Sequence, residues 1–522
     1  MNPVRRGYRA LEAWFNLSFG PAWNPLYNLG TLTFFFFWVV LVSGLYLFVF
    51  FDTSIDGAYA SVERLTREQW YLGGVMRSLH RYASDAAVIC ILLHMLREFA
   101  LDRYRGFRWF SWFTGVPALW FVITLGITGY WLVWDELGLY VALLSSRLMD
   151  ALPIVSGAMT RDFLEGQLTD RFFTLMGFLH LLGQPVILVF AIWIHVKRLS
   201  HVEISAPRGL ALGSFAALLA LSIAMPAQSH APADLARVPP VLNIDWFYLN
   251  VYPLLDNASA GQTWMLTLGV TFLLMVAPWL PPKKTGPAAE VHLEQCNGCG
   301  QCADDCPFDA ITVQARTDGA RWSHEVVVQP SLCASCGICV GSCPSSNPFR
   351  QRNQRLVTGI DMPNYSANEM RERTDRALKA LDGADSRIVV FGCDNAYDVS
   401  RLESDGAAAV RVFCVGMLPA TLVEYALKKG ASGVFVTGCR TGDCYFRYGN
   451  VWFDRRFEGN RKPRLRAGAD RRRILVCRGA ETDGAVIARA LSDFGRAMTS
   501  LDREPDDTAM AAADAGANRG RG

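Results

Sequence analysis

Long apolar runs separated by short polar loops fill the first half of the chain, and the pattern changes abruptly near position 281. Runs near 31–51, 78–99, 112–133, 174–196, 209–226 and 246–279 each predict a helix of about 20 residues, the length that crosses a hydrocarbon core of about 30 Å. The last run is interrupted by LLDNASAGQ and reads as a short helix plus a span. From PPKKTGPAAE onward the pattern is that of a soluble protein. Residues 286–350 hold two cysteine runs, 351–385 read as a charged linker with helical stretches, and 386–480 alternate short apolar strands with helical patterns. Residues 481–522 form a C-terminal tail whose end, after about 495, reads as disordered.

Composition sharpens this division. The 51 Lys+Arg against 48 Asp+Glu leave a net charge of +3, which excludes a strongly basic nucleic-acid binder. A mean hydropathy of +0.17 is an average over two unlike halves. Of the 14 cysteines only Cys90 precedes residue 282, whereas six of the eight histidines do. Cysteines in C-x-x-C runs behind membrane spans point to metal ligation in a reducing compartment rather than to disulfides. The basic start MNPVRRGYRA lacks a short apolar core with a cleavage site, so the N-terminus reads as retained. Six crossings put both ends of the membrane part on one side. That side collects Arg5, Arg6, Arg9, Arg103, Arg105 and Lys283 among others, against fewer cations such as Arg64, Arg67 and Arg147 opposite. The positive-inside rule makes the richer side cytoplasmic, with the cysteine-rich half beside it.

Ionisable or metal-binding side chains inside a span are costly and mark function. Two spans each carry a histidine pair, His80 with His94 and His180 with His195. Spacings of 14 and 15 residues keep each pair on one helix face, about 21–23 Å apart along the axis. The two spans run in the same direction, so His80 meets His180 near the outer surface and His94 meets His195 near the cytoplasm. Two stacked metal centres can be held between them. Gly30 and Gly44 on the first span, and Gly115 and Gly129 on the third, repeat the 14-residue spacing. That suits close backbone contact with two haems, although glycines in spans also mediate helix packing. Arg77 and Arg97 flank the first pair, where a guanidinium could meet a haem propionate or snorkel to the interface.

The segments RSLHRYASDAAVICILLHMLREF, GVPALWFVITLGITGYWLVWDE, DALPIVSGAMT and FLHLLGQPVILVFAIWIHVKRLSH resemble the cytochrome b family across residues 1–200. The 15-residue second spacing resembles the photosynthetic branch, and 208–280 resemble the two following helices of its companion subunit, here fused. This resemblance implies two haem b groups, quinone or quinol as a partner, and a dimer or larger complex. Where the family has Pro-Glu-Trp-Tyr at its outer quinol site, this chain has Ile244-Asp245-Trp246-Phe247. Asp245 is therefore a candidate proton acceptor from quinol, or a helix N-cap. His201 resembles an inner-quinone-site histidine, with a surface-loop histidine as the alternative.

The run Cys296-x-x-Cys299-x-x-Cys302-x-x-x-Cys306-Pro307 recurs as Cys333-x-x-Cys336-x-x-Cys339-x-x-x-Cys343-Pro344. This is the bacterial ferredoxin arrangement, in which the fourth cysteine of each run serves the other cluster. One 4Fe-4S cluster takes Cys296, Cys299, Cys302 and Cys343, and the other takes Cys333, Cys336, Cys339 and Cys306. In the last domain four strand-like runs end in Cys393, Cys414, Cys439 and Cys477, with Cys444 close behind. In an open parallel sheet the carboxyl ends of strands converge where ligands bind. VFGCDNAYD, VRVFCVGMLPA and GVFVTGCRTGDCYFRYGN resemble the delta subunit of methyl-viologen-reducing hydrogenase. That resemblance implies a 2Fe-2S cluster held by Cys393, Cys414, Cys439 and Cys444, with Cys477 in reserve.

The fold class is thus an α-helical membrane bundle of about six transmembrane helices, a ferredoxin-like α+β domain and a small α/β domain with a parallel sheet. The membrane part divides into 1–207, which carries the histidines, and 208–285. The function expected is membrane-bound electron transfer linking the quinone pool to a soluble cytoplasmic redox partner such as a hydrogenase- or heterodisulfide-reductase-like enzyme. The alternative is a quinone-independent haem and iron-sulfur anchor. No well-placed G-x-G-x-x-G stands out, so NAD chemistry would belong to another subunit.

Overall fold

The computed structural model describes residues 3–153, 160, 170–237, 241–283, 285–349 and 355–503. Most of the DALPIVSGAMT segment and the end of the tail beyond 503 lie outside the described residues. The chain divides into two compact units, Met1–Lys284 and Thr285–Gly522.

The first unit is helical, with α1 (Pro3–Phe19), α2 (Leu29–Phe50), α3 (Ile55–Arg67), α4 (Val75–Ala100), α5 (Trp109–Val133), α6 (Glu136–Asp150), α7 (Asp170–Phe178), α8 (Gln184–Val196), α9 (Arg208–Ala224) and α10 (Ala260–Val276). A π-helical turn, Leu179–Gly183, joins α7 to α8. Helix ends are fixed by side-chain caps: Ser54 accepts from the Gly57 amide, Asp135 from Gly138, and Ser259 forms a capping box with Gln262. Among the described residues four stretches are long and apolar enough to cross a membrane: Leu29–Phe50, Gly106–Val133, Phe173–Val196 and Ala260–Trp279. The other two of the six expected spans differ for identifiable reasons. The 26-residue α4 has the length but carries Arg77, Arg81, Asp85, Arg97 and Glu98, whereas α9 has only 17 residues. α4 packs against α2 and α9, and α5 against α8. Val88, Val122, Val141, Leu188 and Leu249 form the core between them.

The second unit contains an antiparallel pair, β2 (Ile311–Ala315) with β3 (His324–Val328), in register from Ile311↔Val328 to Ala315↔His324. Two short helices, Gln301–Asp304 and Ile338–Ser342, each follow a left-handed glycine, Gly300 at φ +75° and Gly337 at φ +73°. A side chain there would be strained. Of the region expected as a charged linker with helical stretches, 351–385, the described residues from Arg355 onward include one strand and one helix. Its Ile360–Asp361 (β4) pairs with Glu290–Val291 (β1), and Ala367–Ala380 (α11) buries Met370, Thr374 and Leu378 on one face.

The remaining strands, β5 (Ile388–Cys393), β6 (Ala407–Val412), β7 (Gly433–Gly438) and β8 (Ile474–Arg478), form one parallel sheet in the order β6-β5-β7-β8. α12 (Ala420–Lys428) and α13 (Gly449–Glu458) belong to the connections between these strands. The domain does not stop near 480. Helix α14 (Gly484–Arg503) lays Ile487, Leu491, Phe494 and Met498 on the sheet against Ile388, Val390 and Phe435. Their i, i+4, i+7, i+11 spacing is one helical stripe, so the segment taken as the start of a disordered tail is helical core to Arg503.

Arg456 on α13 is completely buried, and so is its partner Asp305 beside the ferredoxin-like run. The Arg456 guanidinium also donates to Ser342 Oγ (2.6 Å) and to the Gly416 carbonyl (2.8 Å), and Arg461 gives Asp305 a second cation. Within this unit the two cysteine-bearing parts share one buried polar network.

Phe494→Ala removes a buried ring whose centroid lies 6.3 Å from that of Phe435. The expected loss is about 3–5 kcal/mol, read as faster hydrogen exchange of the β5 and β7 amides.

Candidate functional site

The His80 and His180 rings lie with centroids 6.3 Å apart and planes at 60°. Two imidazoles on opposite sides of one metal ion stand at about that distance, given about 2.0–2.1 Å per metal–nitrogen bond and about 1.1 Å from nitrogen to ring centre. Each ring is fixed through Nδ1. His80 Nδ1 lies 3.0 Å from the Val40 carbonyl and 3.2 Å from Ser43 Oγ. His180 Nδ1 lies 3.0 Å from Thr128 Oγ1, which in turn donates to Gln184 Oε1 at 2.9 Å. His195 Nδ1 lies 3.4 Å from Thr114 Oγ1. Anchoring Nδ1 leaves Nε2 for a metal and sets the ring plane.

The glycines act on the same rings. A Cβ on Gly44 would fall 2.8 Å from His80 Cε1, on Gly115 3.1 Å from His195 Cε1, and on Gly129 3.1 Å from His180 Cε1. Gly30 differs, since a Cβ there would meet open space. Sequence reasoning found these glycines but missed the hydroxyl residue directly before three of them: Ser43-Gly44, Thr114-Gly115 and Thr128-Gly129. Leu29 precedes Gly30, the one glycine that touches no imidazole. The unequal histidine spacings are reconciled by the π turn at His180. Such a turn inserts one residue into a helix, so 15 residues from His180 to His195 keep the phase that 14 keep in α4. Pro185, just beyond, lacks the amide that a regular helix would use.

Both flanking arginines already have carboxylate partners. Arg77 donates to Thr66 Oγ1 at 2.5 Å and Ser229 Oγ at 2.7 Å, with Glu63 at 3.5 Å. Arg97 is buried against Glu12 at 3.0 Å and Glu98 at 3.5 Å. Asp245 is buried, and its Oδ2 accepts from Tyr130 Oη at 2.6 Å and Arg81 Nη2 at 3.0 Å. Its Oδ1 accepts from the Phe247 amide at 2.7 Å, so Asp245 caps its own turn as well as sitting in an ionic cluster. His201 is exposed at the loop before α9, in a left-handed conformation at φ +49°.

In the second unit the eight ferredoxin-type cysteines fall into two groups. Cys296, Cys299, Cys302 and Cys343 line one cavity with Pro344 and Gly359. Burial pushes the Cys339 thiol up, reinforced by Cys336, Cys302, Cys333 and Cys306, which places the second group beside the first. Cys306 Sγ accepts from the Ala310 amide at 3.3 Å. At the carboxyl edge of the sheet Cys393 and Cys444 are each drawn below the ordinary thiol range by hydrogen bonds from Cys414 and Cys439. The four sulfurs therefore form a closed set, and the Asn395 amide points at Cys393 Sγ at 3.4 Å. Cys477 stands apart, half-buried near Arg478 and Asp483 and packed on the α14 side of the sheet. Gly449, overlooked in the sequence, is required here: a Cβ would lie 2.1 Å from Cys414 Sγ. Among the described residues no three His, Cys, Asp or Glu side chains are set to hold a single ion.

Facing imidazoles in an apolar helical bundle, joined in one chain to clustered thiols, define a membrane redox protein of the haem and iron-sulfur class. Residues 16–202 match the family described as cytochrome b/b6/petB, 295–347 the 4Fe-4S dicluster domain, and 388–502 the delta subunit of methyl-viologen-reducing hydrogenase. Cytochrome b6 of Synechococcus elongatus is 29% identical over 189 residues, 36% of this chain and 87% of that protein. Cytochrome b6 of Mastigocladus laminosus is 30% identical over 146 residues, 28% of this chain and 67% of its own length. A chain of a solved hyperthermophilic respiratory Complex III aligns with 53% of this chain and 80% of its own, at a TM-score of 0.40 and 19% identity. The chain belongs to the cytochrome b family. It is an integral membrane electron-transfer protein that carries haem b and 4Fe-4S clusters.

Thr128→Val removes the His180 Nδ1 anchor and is expected to weaken haem retention about 10–100-fold, measured by haem content after dilution. Gly129→Val places bulk against His180 and is expected to lower the haem content of the purified protein, read from its absorbance.

Proposed function

We propose that this chain is an oxidoreductase subunit linking the quinone pool to a soluble cytoplasmic redox enzyme of the hydrogenase or heterodisulfide-reductase kind. The observation that carries this reading is the His80–His180 pair, with ring centroids 6.3 Å apart and both Nδ1 atoms anchored. In this reading His80 with His180 and His94 with His195 hold two haem b groups. Cys296, Cys299, Cys302 and Cys343 hold one 4Fe-4S cluster, and Cys306, Cys333, Cys336 and Cys339 the other. Cys393, Cys414, Cys439 and Cys444 hold a 2Fe-2S cluster. Bound there, these groups supply a series of one-electron carriers. The protein's own part is to fix the ligands, exclude water from the apolar bundle, and handle protons at its edge.

Asp245 is the carboxylate proposed to take a proton from quinol, oriented by Tyr130 and Arg81. His201, exposed before α9, is proposed at the inner quinone position. The excess of Lys and Arg in the loops on the cysteine side supports a cytoplasmic iron-sulfur unit. The delta-subunit likeness supports docking of a soluble partner on the sheet domain. The fully engaged hydrogen bonding of Asp245 favours a second reading, a docking subunit without a quinone site.

Anaerobic addition of a quinol analogue separates the two. The quinone reading expects haem reduction, slowed about 100-fold or more in Asp245→Asn; unchanged haem spectra in the wild-type protein sink it and leave the docking subunit. Cys414→Ser is expected to remove a 2Fe-2S paramagnetic signal that Cys477→Ser leaves intact, checked by electron paramagnetic resonance of the reduced protein.

A further inference from the structure

The charges around Asp245 do not balance. Asp85 lies five residues beyond His80 on α4, and Arg81 reaches both carboxyls, with Nε 3.2 Å from Asp85 Oδ2 and Nη2 3.0 Å from Asp245 Oδ2. A single guanidinium thereby draws the two carboxyls onto one cation. Their surroundings are unequal. Asp245 is 2% exposed and accepts from Tyr130, Arg81 and the Phe247 amide. Asp85 accepts from Arg81 alone, and its Oδ1 is buried without a hydrogen bond. The other polar groups facing the pair are Tyr130, whose ring lies under Arg81 at 4.8 Å, and Tyr248, whose hydroxyl donates to the Ser84 carbonyl at 3.0 Å. Neither adds positive charge. Among the described residues, one guanidinium thus serves two carboxyls in a low-dielectric helix bundle. Two carboxylates held on one cation repel each other in so poorly solvating a medium.

We propose that Asp85 and Asp245 form a proton-sharing carboxyl pair. The shared proton rests on Asp85 Oδ1, the oxygen without a donor, and points at Asp245, which three donors hold as the anion. With Arg81 the cluster is then neutral. A second proton arriving at Asp245 makes it positive, which the apolar surroundings disfavour, so one proton leaves for water past the partly exposed Arg81. No electron moves within the cluster and one proton enters for each that leaves. The step in which quinol supplies the incoming proton rests on the quinone reading above; the shared proton does not.

The test is redox-difference infrared spectroscopy of the full holoprotein in lipid nanodiscs, poised electrochemically without quinone. A protonated-carboxyl band that shifts in deuterium oxide is expected in the wild type, absent in Asp85→Asn, and moved in frequency in Asp85→Glu. The glutamate variant keeps the test decisive should the asparagine variant lose haem. No such band in the wild type, or a band unchanged in Asp85→Glu, overturns the proposal. A band present and Asp85-dependent in a protein whose haems ignore added quinol supports the carboxyl pair and sinks the quinone reading alone.

Discussion

An imidazole buried between apolar helices has two ring nitrogens to satisfy, and the first unit is arranged around that demand. Nδ1 is taken by a hydroxyl or carbonyl of the neighbouring helix, at Val40 and Ser43, at Thr114 and at Thr128. Nε2 is thereby presented to a metal. Close helix approach is needed to bring the anchor within 3.4 Å, and glycine at the next position supplies it. The π turn serves the same end, since a histidine out of phase by one residue would point about 100° away.

The second unit meets the equivalent problem with sulfur. Burial pushes the Cys306 and Cys339 thiols up, whereas hydrogen bonds from neighbouring thiols hold Cys393 and Cys444 low; in either case binding a metal cluster replaces the protons. The protein prepares the exchange by bringing amides to the sulfurs, at Ala310 for Cys306 and Asn395 for Cys393. Parallel strands deliver cysteines to one edge because side chains at equivalent strand ends are neighbours across the ladder. Cys477 shows the limit of that rule: it lies inside β8, opposite Thr437, and belongs to the α14 side.

Much of this was legible from residues alone. Histidine pairs, ferredoxin-type runs and strand-end cysteines advertise themselves by type and spacing. Hydroxyl anchors do not, because Ser and Thr in a span are common and only their position before glycine sets Ser43, Thr114 and Thr128 apart. The partners of the α4 charges were hidden for a different reason. Its charges are partnered from distant segments, Arg97 by Glu12 and Arg81 by Asp245, and such pairings are tertiary facts. Helix α14 was obscured by its flanking polar tail, although its Ile487-Leu491-Phe494-Met498 stripe carries the period of a core helix.

The buried Arg456 has a consequence for how this chain can be divided. Its charge is neutralised by Asp305, which belongs to the other half of the iron-sulfur unit, and its guanidinium also binds Ser342 there. Cutting between the halves strands a cation in one fragment and an anion in the other, each costly without its mate. The two halves therefore behave as a single heritable module: exchange of either with a relative's counterpart demands that both ends of this bond travel together.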